Sequence, residues 1–215
     1  MIDLHTHTLF SDGVLLPSEL IRRAYYAGYK ALAITDHVDS SNIDFVVPRV
    51  AAAIDSCADY TDMKLIPGVE ITHMPPKLIR ELVSRARDLG AKLVIVHGET
   101  VVEPVIPGTN SAAIDSGADI ISHPGLITPE DAVRARENGV ALEITSRKGH
   151  SLSNGYVAGV AAGSGADLII STDAHGPEDL ISHDFAETVL RSAGLLEADI
   201  KKVFVNLQKI VDKLC

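Results

Sequence analysis

The chain holds nine histidines among 215 residues, and most stand where a short apolar run stops. His5 and His7 flank Thr6, and alternate residues of an extended segment share a face, so both imidazoles can point at one spot as two metal ligands require. Asp12 follows in the turn Ser11-Asp12-Gly13. His37 ends the sequence Thr35-Asp36-His37, and Glu70 ends Gly68-Val69-Glu70. A carboxyl closing an apolar run has no packing use; once buried it must be paired or coordinate a cation. His97 and His123 each close a further run, and Asp173 with His175 repeats the alternate spacing in Thr172-Asp173-Ala174-His175.

These nine residues supply six imidazoles and three carboxyls without a thiolate. Such a hard to borderline set suits Zn, Mn or Fe rather than a cysteine-rich structural zinc site. One ion cannot use nine donors, so two or three divalent ions are expected. Three divalent ions would outweigh the charge of Asp12, Glu70 and Asp173, leaving an electropositive pocket that draws in an anion such as phosphate. Clustered ions polarise a phosphoryl oxygen and generate hydroxide near neutral pH, which suffices for hydrolysis without a protein nucleophile.

The elements that must position these donors follow a recurring unit of a glycine, an apolar β-branched run and a polar tip. It spans Gly28 to His37, Gly90 to His97, Gly117 to His123, Gly139 to Thr145 and Gly165 to His175. The glycine suits a left-handed helix cap, and the run suits a strand buried on both faces. With Ile2 to Leu4 and Lys64 to Ile71, seven strands are predicted. Helical periodicity between them covers Ser18 to Ala27, Asn42 to Tyr60, Pro76 to Leu89, Pro129 to Asn138 and Asp179 to Ala193.

That alternation implies parallel βα units with right-handed crossovers. Polar tips on most strands favour a barrel over an open sheet with one switch point. The fold expected is therefore α/β, a distorted seven-stranded barrel with a C-terminal helical segment, in one domain over residues 1–215. In that segment Ile200, Val203, Phe204, Leu207, Ile210, Val211 and Leu214 follow helical spacing and read as core.

Lysine plus arginine number 19 against 29 acidic residues, a net charge of −10. Such a surface repels long nucleic acids. No stretch approaches the roughly 18 apolar residues of a membrane span. The opening lacks the positive segment of a signal peptide. Only Cys57 and Cys215 are present, so a reducing cytoplasm is expected, and the partner expected is a small-molecule phosphoester substrate rather than long nucleic acid or membrane.

The sixth strand ends without a metal ligand, in Glu143-Ile144-Thr145-Ser146-Arg147-Lys148-Gly149-His150. Arg147 or Lys148 can clamp the non-reacting oxygens of a phosphate there, Arg147 being the better bidentate partner. His73, His150 and His183 read as surface or capping residues, and Glu99 as a partner behind His97.

As an ordered set from residue 3 to residue 175, these motifs resemble the PHP (polymerase and histidinol phosphatase) family. The resemblance implies a distorted seven-stranded barrel with a trinuclear metal centre. By position, His5, His7, Glu70 and Asp173 would hold one ion. Glu70 would bridge to a second completed by His97 and His123, and Asp12, His37 and His175 would hold the third. The full set argues against metal-free relatives that act as RNA-processing scaffolds.

The activity expected is a phosphoric ester hydrolase acting on monoesters of a small soluble metabolite. Metal-bound hydroxide would be its nucleophile, with His97, Glu70, Asp173 and Arg147 carrying catalysis. The alternatives are a 3'-5' exonuclease or phosphodiesterase on short nucleic acids, an amidohydrolase-type metal hydrolase and a non-catalytic metal-binding module.

Overall fold

The computed structural model describes residues 1–215. Its strands are β1 (Ile2–Asp3), β2 (Ala31–Ile34), β3 (His37–Val38), β4 (Lys64–Ile71), β5 (Leu93–His97), β6 (Ile120–Ser122), β7 (Ala141–Thr145) and β8 (Leu168–Ser171). All neighbouring strands pair in parallel, in the order β1-β2-β4-β5-β6-β7-β8, with β3 also on β4. Because β3 continues the line of β2 along β4, the eight segments fill seven strand positions.

The ends of the sheet meet. Thr6 bridges Ala174, the His7 N–H donates to the Ala174 carbonyl at 2.8 Å, and the Thr172 hydroxyl donates to Asp3 at 2.5 Å. These contacts draw the open edges of β1 and β8 into a near-closed barrel, leaving few unpaired backbone groups at the seam.

Helices pack outside: α1 (Pro17–Tyr26), α2 (Ile43–Ala58), α3 (Pro76–Asp88), α4 (Thr109–Ser116), α5 (Pro129–Asn138), α6 (Asn154–Ser164), α7 (His183–Ser192) and α8 (Glu197–Leu214). Local chemistry sets their limits. Pro129 opens α5 behind Thr128, whose side chain accepts the Asp131 N–H. The glycines that begin the five repeating units all have left-handed φ, from 69° at Gly139 to 109° at Gly90, as a turn from helix into strand demands.

Fifty-five buried apolar residues form one core between barrel and helices. In α8, Ile200, Val203, Leu207 and Val211 are buried, while Phe204, Ile210 and Leu214 pack on the margin.

Three differences from the sequence-based expectation have physical causes. The second strand breaks at Thr35-Asp36, where the Asp36 carboxylate accepts from the N–H and hydroxyl of both Thr8 and Ser11. The helix expected from Asp179 starts at His183, because Pro177–Asp179 forms a separate short turn. Helices α4 and α6 lack the apolar period that announces the others, one being short and polar and the other built of glycine and alanine.

Candidate metal centre

Parallel strands deliver all nine donors to the C-terminal end of the barrel. His5 and His7 follow β1, His37 opens β3, Glu70 lies in β4, His97 ends β5, His123 follows β6, and Asp173 and His175 follow β8. Asp12 reaches across from the loop after β1, placing Oδ1 3.1 Å from His175 Nε2 and 3.6 Å from His37 Nε2. His123 and Asp173 hold positive φ values of 28° and 54°, a conformation that a residue with a Cβ keeps only under constraint.

Glu70 is the hub. Its Oε2 lies 3.2 Å from His5 Nε2, 2.8 Å from His37 Nδ1 and 3.6 Å from His7 Nε2, and its Oε1 lies 3.8 Å from His123 Nε2. Asp173 Oδ1 stands 3.1 Å from His7 Nε2 and 3.6 Å from His5 Nε2. Many of these approaches are misaligned for hydrogen bonding. His5 Nε2, both ring nitrogens of His7, Glu70 Oε2 and Asp173 Oδ1 are buried without a hydrogen-bond partner.

Leaving such atoms unpaired costs about 1–3 kcal/mol each, so their convergence calls for cations. Donor atoms fall into groups within 4.8 Å of one another: His7, Asp12, His37 and His175; His5, His123 and Asp173; His5, His7 and Glu70; Glu70, His97 and His123. This donor set fits divalent ions.

The two buried carboxyls are held in the ionised form that a cation needs. Burial opposes ionisation of Glu70, but His5 and His37 outweigh it and hold the carboxyl well below the usual range. Burial opposes ionised Asp173 in the same way, and His5 and His7 pull it down. Burial and the adjacent His37 push His7 down to about 4, and burial with His97 holds His123 well below normal. These two rings are therefore neutral near pH 7, the form that binds a metal. His5 moves the other way: burial disfavours its charge, yet Glu70, Glu143 and Asp173 overcome that.

The groups behind the donors were harder to foresee. Glu143, inside β7, is fully buried, and its Oε1 lies 2.8 Å from His5 Nδ1 while Oε2 accepts the His123 N–H. It fixes the orientation of two donors at once. A carboxylate within an apolar run is the signal that marks it, the same signal that marks Glu70.

His150 is not a surface or capping residue. It is buried, its ring stacks on His123 at 4.1 Å, and its Nδ1 lies 2.7 Å from Thr100 Oγ1. His73 stands at the mouth beside His97, whereas His183 lies outside against Glu187 and Phe204. Glu99 does not back His97; it accepts the N–H groups of Gly108 and Asn110 and anchors a loop. Arg147 lines the cavity with its Nη1 on Asp179 at 3.0 Å and its Nε 3.9 Å from Asp173. Lys148 is exposed and does not line the cavity.

The chain matches the PHP domain family over residues 3–97. It is 47% identical over 209 residues to an uncharacterized protein of Methanocaldococcus jannaschii, covering 96% of both chains. A 5'-3' exoribonuclease of Haemophilus influenzae is 41% identical over 70 residues, 33% of this chain and 23% of that protein. Among solved structures, a chain of archaeal ribonuclease P with mature tRNA is similar with a TM-score of 0.72 at 19% identity, covering 98% of this chain and 90% of that one. Histidinol phosphate phosphatase of Lactococcus lactis, complexed with zinc, L-histidinol and phosphate, gives a TM-score of 0.64 at 15% identity, covering 91% and 94%. With 47% identity to the Methanocaldococcus jannaschii protein over nearly the full length of both, and with the family's ordered motifs on the tips of a parallel barrel, the chain belongs to the PHP domain family.

Proposed function

We propose that the protein is a metal-dependent phosphoesterase that releases phosphate from a small, polar metabolite. The observation that carries this reading is the group of buried, unpartnered donors, one of which, Asp173, lines a cavity of about 490 Å³ with a single hydrophobic residue, Val38, in its wall. A polar wall suits a hydrated, charged substrate better than an apolar one.

His5, His7, Glu70 and Asp173 would hold one ion, with Glu70 shared toward His97 and His123, and Asp12, His37 and His175 would hold a third. When bound, the ions supply Lewis acidity at the phosphoryl oxygens and an activated water. The chain supplies the rest. Glu143 sets the ring of His5, and Asp36 ties down the loop that carries Asp12 through its bonds to Thr8 and Ser11. Arg147 is held at the mouth by Asp179, whose carboxylate also accepts the His175 N–H. A guanidinium so braced can orient the non-bridging oxygens of a phosphate.

The test strips the protein, reloads it separately with Mn, Zn and Fe, and measures phosphate release from histidinol phosphate, nucleoside monophosphates and sugar phosphates beside cleavage of short oligonucleotides. Turnover of a monoester by one metal form is the expected result. Silence on every monoester in all three forms overturns the proposal. Cleavage of oligonucleotides alone would instead favour a nuclease, the reading supported by the 70-residue likeness to an exoribonuclease.

A further inference from the structure

Outside the nine donors, one carboxylate is ringed by imidazoles at the rim of the cavity. Glu103 Oε2 lies 3.1 Å from His73 Nε2 and 3.2 Å from His97 Nε2, and its Oε1 lies 3.4 Å from His150 Nε2. We propose that Glu103, seconded by His73, is a further donor to the metal centre, joined to it through His97. The inference rests on the metal centre and is independent of the substrate named above.

The spacing supports it. Two donor atoms each about 2.1 Å from one ion stand roughly 3–3.5 Å apart, the range in which Glu103 meets His73 and His97. The donor atoms of His73, His97 and Glu103 all lie within 4.8 Å of one another, as do those of Glu70, His97 and His123, so the two groups meet at His97. His97 Nδ1 faces the Gly98 carbonyl at 3.2 Å, so its Nε2 is the atom turned to Glu103, and Glu103 enters the centre on the side of His97 away from Glu70.

Backbone strain supplies an independent sign. Only three non-glycine residues have positive φ: His123, Asp173 and His73, the last at 53°. The first two belong to the donor set. His73 is 43% exposed on its side chain, so core packing does not account for its conformation. What the conformation achieves is an imidazole turned toward Glu103, and strain of this kind persists where function holds it.

The loop carrying Glu103 is also braced. Glu99 accepts the N–H groups of Gly108 and Asn110, and Asn110 donates to the Pro124 carbonyl, closing the loop at its base. Thr100 engages Nδ1 of His150, which leaves Nε2 of that ring facing Glu103.

The experiment titrates metal-free protein with Mn²⁺, following binding by calorimetry and electron paramagnetic resonance and counting ions by elemental analysis. Replacing an outer partner of a metal site costs about 10–100-fold in affinity, so E103Q should weaken one binding step by roughly tenfold or more. H73A should weaken the same step less, E103D should retain part of the affinity, and H183A, which removes a surface imidazole, should change none. Wild-type affinity at every step in folded E103Q overturns the proposal. So does unchanged metal binding with tighter binding of inorganic phosphate, which would make Glu103 an occupant of the anion position. Wild-type protein that shows the E103Q-sensitive step yet turns over no phosphoester sinks the proposed function and leaves this donor standing.

Discussion

Two hollows of nearly equal size lie on this molecule, and they teach different things. The mouth of the barrel encloses about 490 Å³, and a groove between α6 and α8 beside the start of β8 encloses about 500 Å³. The groove is walled by glycines and alanines such as Gly155, Ala158 and Gly159, with Asp199 and Lys202 at its margin. None of the buried, unpartnered polar atoms of the chain belongs to its lining, whereas Asp173, which carries one of them, lines the mouth beside the donors His37, His97 and His175. Volume alone therefore does not mark a site. Convergent donors that the fold leaves unpaired do, because each carries a desolvation cost that only a ligand can offset.

The contrast breaks most readily at its hub. Glu70→Gln keeps the shape of the side chain and removes the charge shared among His5, His37 and His7. Bound metal measured by elemental analysis, and any hydrolysis, should fall by about 100-fold or more, since even outer-shell changes cost 10–100-fold. Full metal content in this variant would show that the donors do not act as one centre.

Glu143→Gln is the next sharpest tool. It leaves a hydrogen-bonding group beside His5 and His123 but no carboxylate to fix the ring. Metal affinity should drop about tenfold to 100-fold in a titration of stripped protein, with the fold unchanged by circular dichroism.

A third prediction concerns the seam behind the site. Burial pushes the Asp3 carboxyl up to about 6, despite bonds from Thr172 and the His5 N–H. Between pH 4 and 6 the native state thus keeps a proton that the unfolded chain has released. Stability from this group is full below the unfolded value and is lost as pH rises through 6. Urea melts of metal-free protein at pH 4.5 and 7 should show wild type losing about 1–3 kcal/mol more than Asp3→Asn over this interval.

The smallest effect belongs to the groove. A Cβ at Gly159 would meet nothing within 4 Å, so Gly159→Ala should stabilise α6 by about 0.5–1 kcal/mol in denaturant melts while leaving metal binding untouched. A loss of stability there would show that the groove needs its openness.

The strand tips were legible because each polar donor interrupts an apolar run, and a parallel barrel sends every such interruption to the same end. His5, His7, Glu70 and His97 could therefore be placed before any coordinates. Glu143 was harder to read because it sits two residues before the end of its strand, where a period-2 reading assigns it merely to one face. Glu103 and His150 lie on loops, whose course depends on contacts far along the chain such as Asn110 with Pro124. Helices α4 and α6 escaped notice because neither repeats apolar residues at helical intervals, and it is their neighbours in the outer layer that hold them.

The seam between β1 and β8 has one more consequence. His5 and His7 follow the first strand of the barrel, whereas Asp173 and His175 follow the last. Because Asp3 must find Thr172 across 169 residues before these groups face one another, a nascent chain carries half a cage. A cage built from both pairs can be closed only once β8 has been made, and a product truncated before that strand lacks Asp173 and His175.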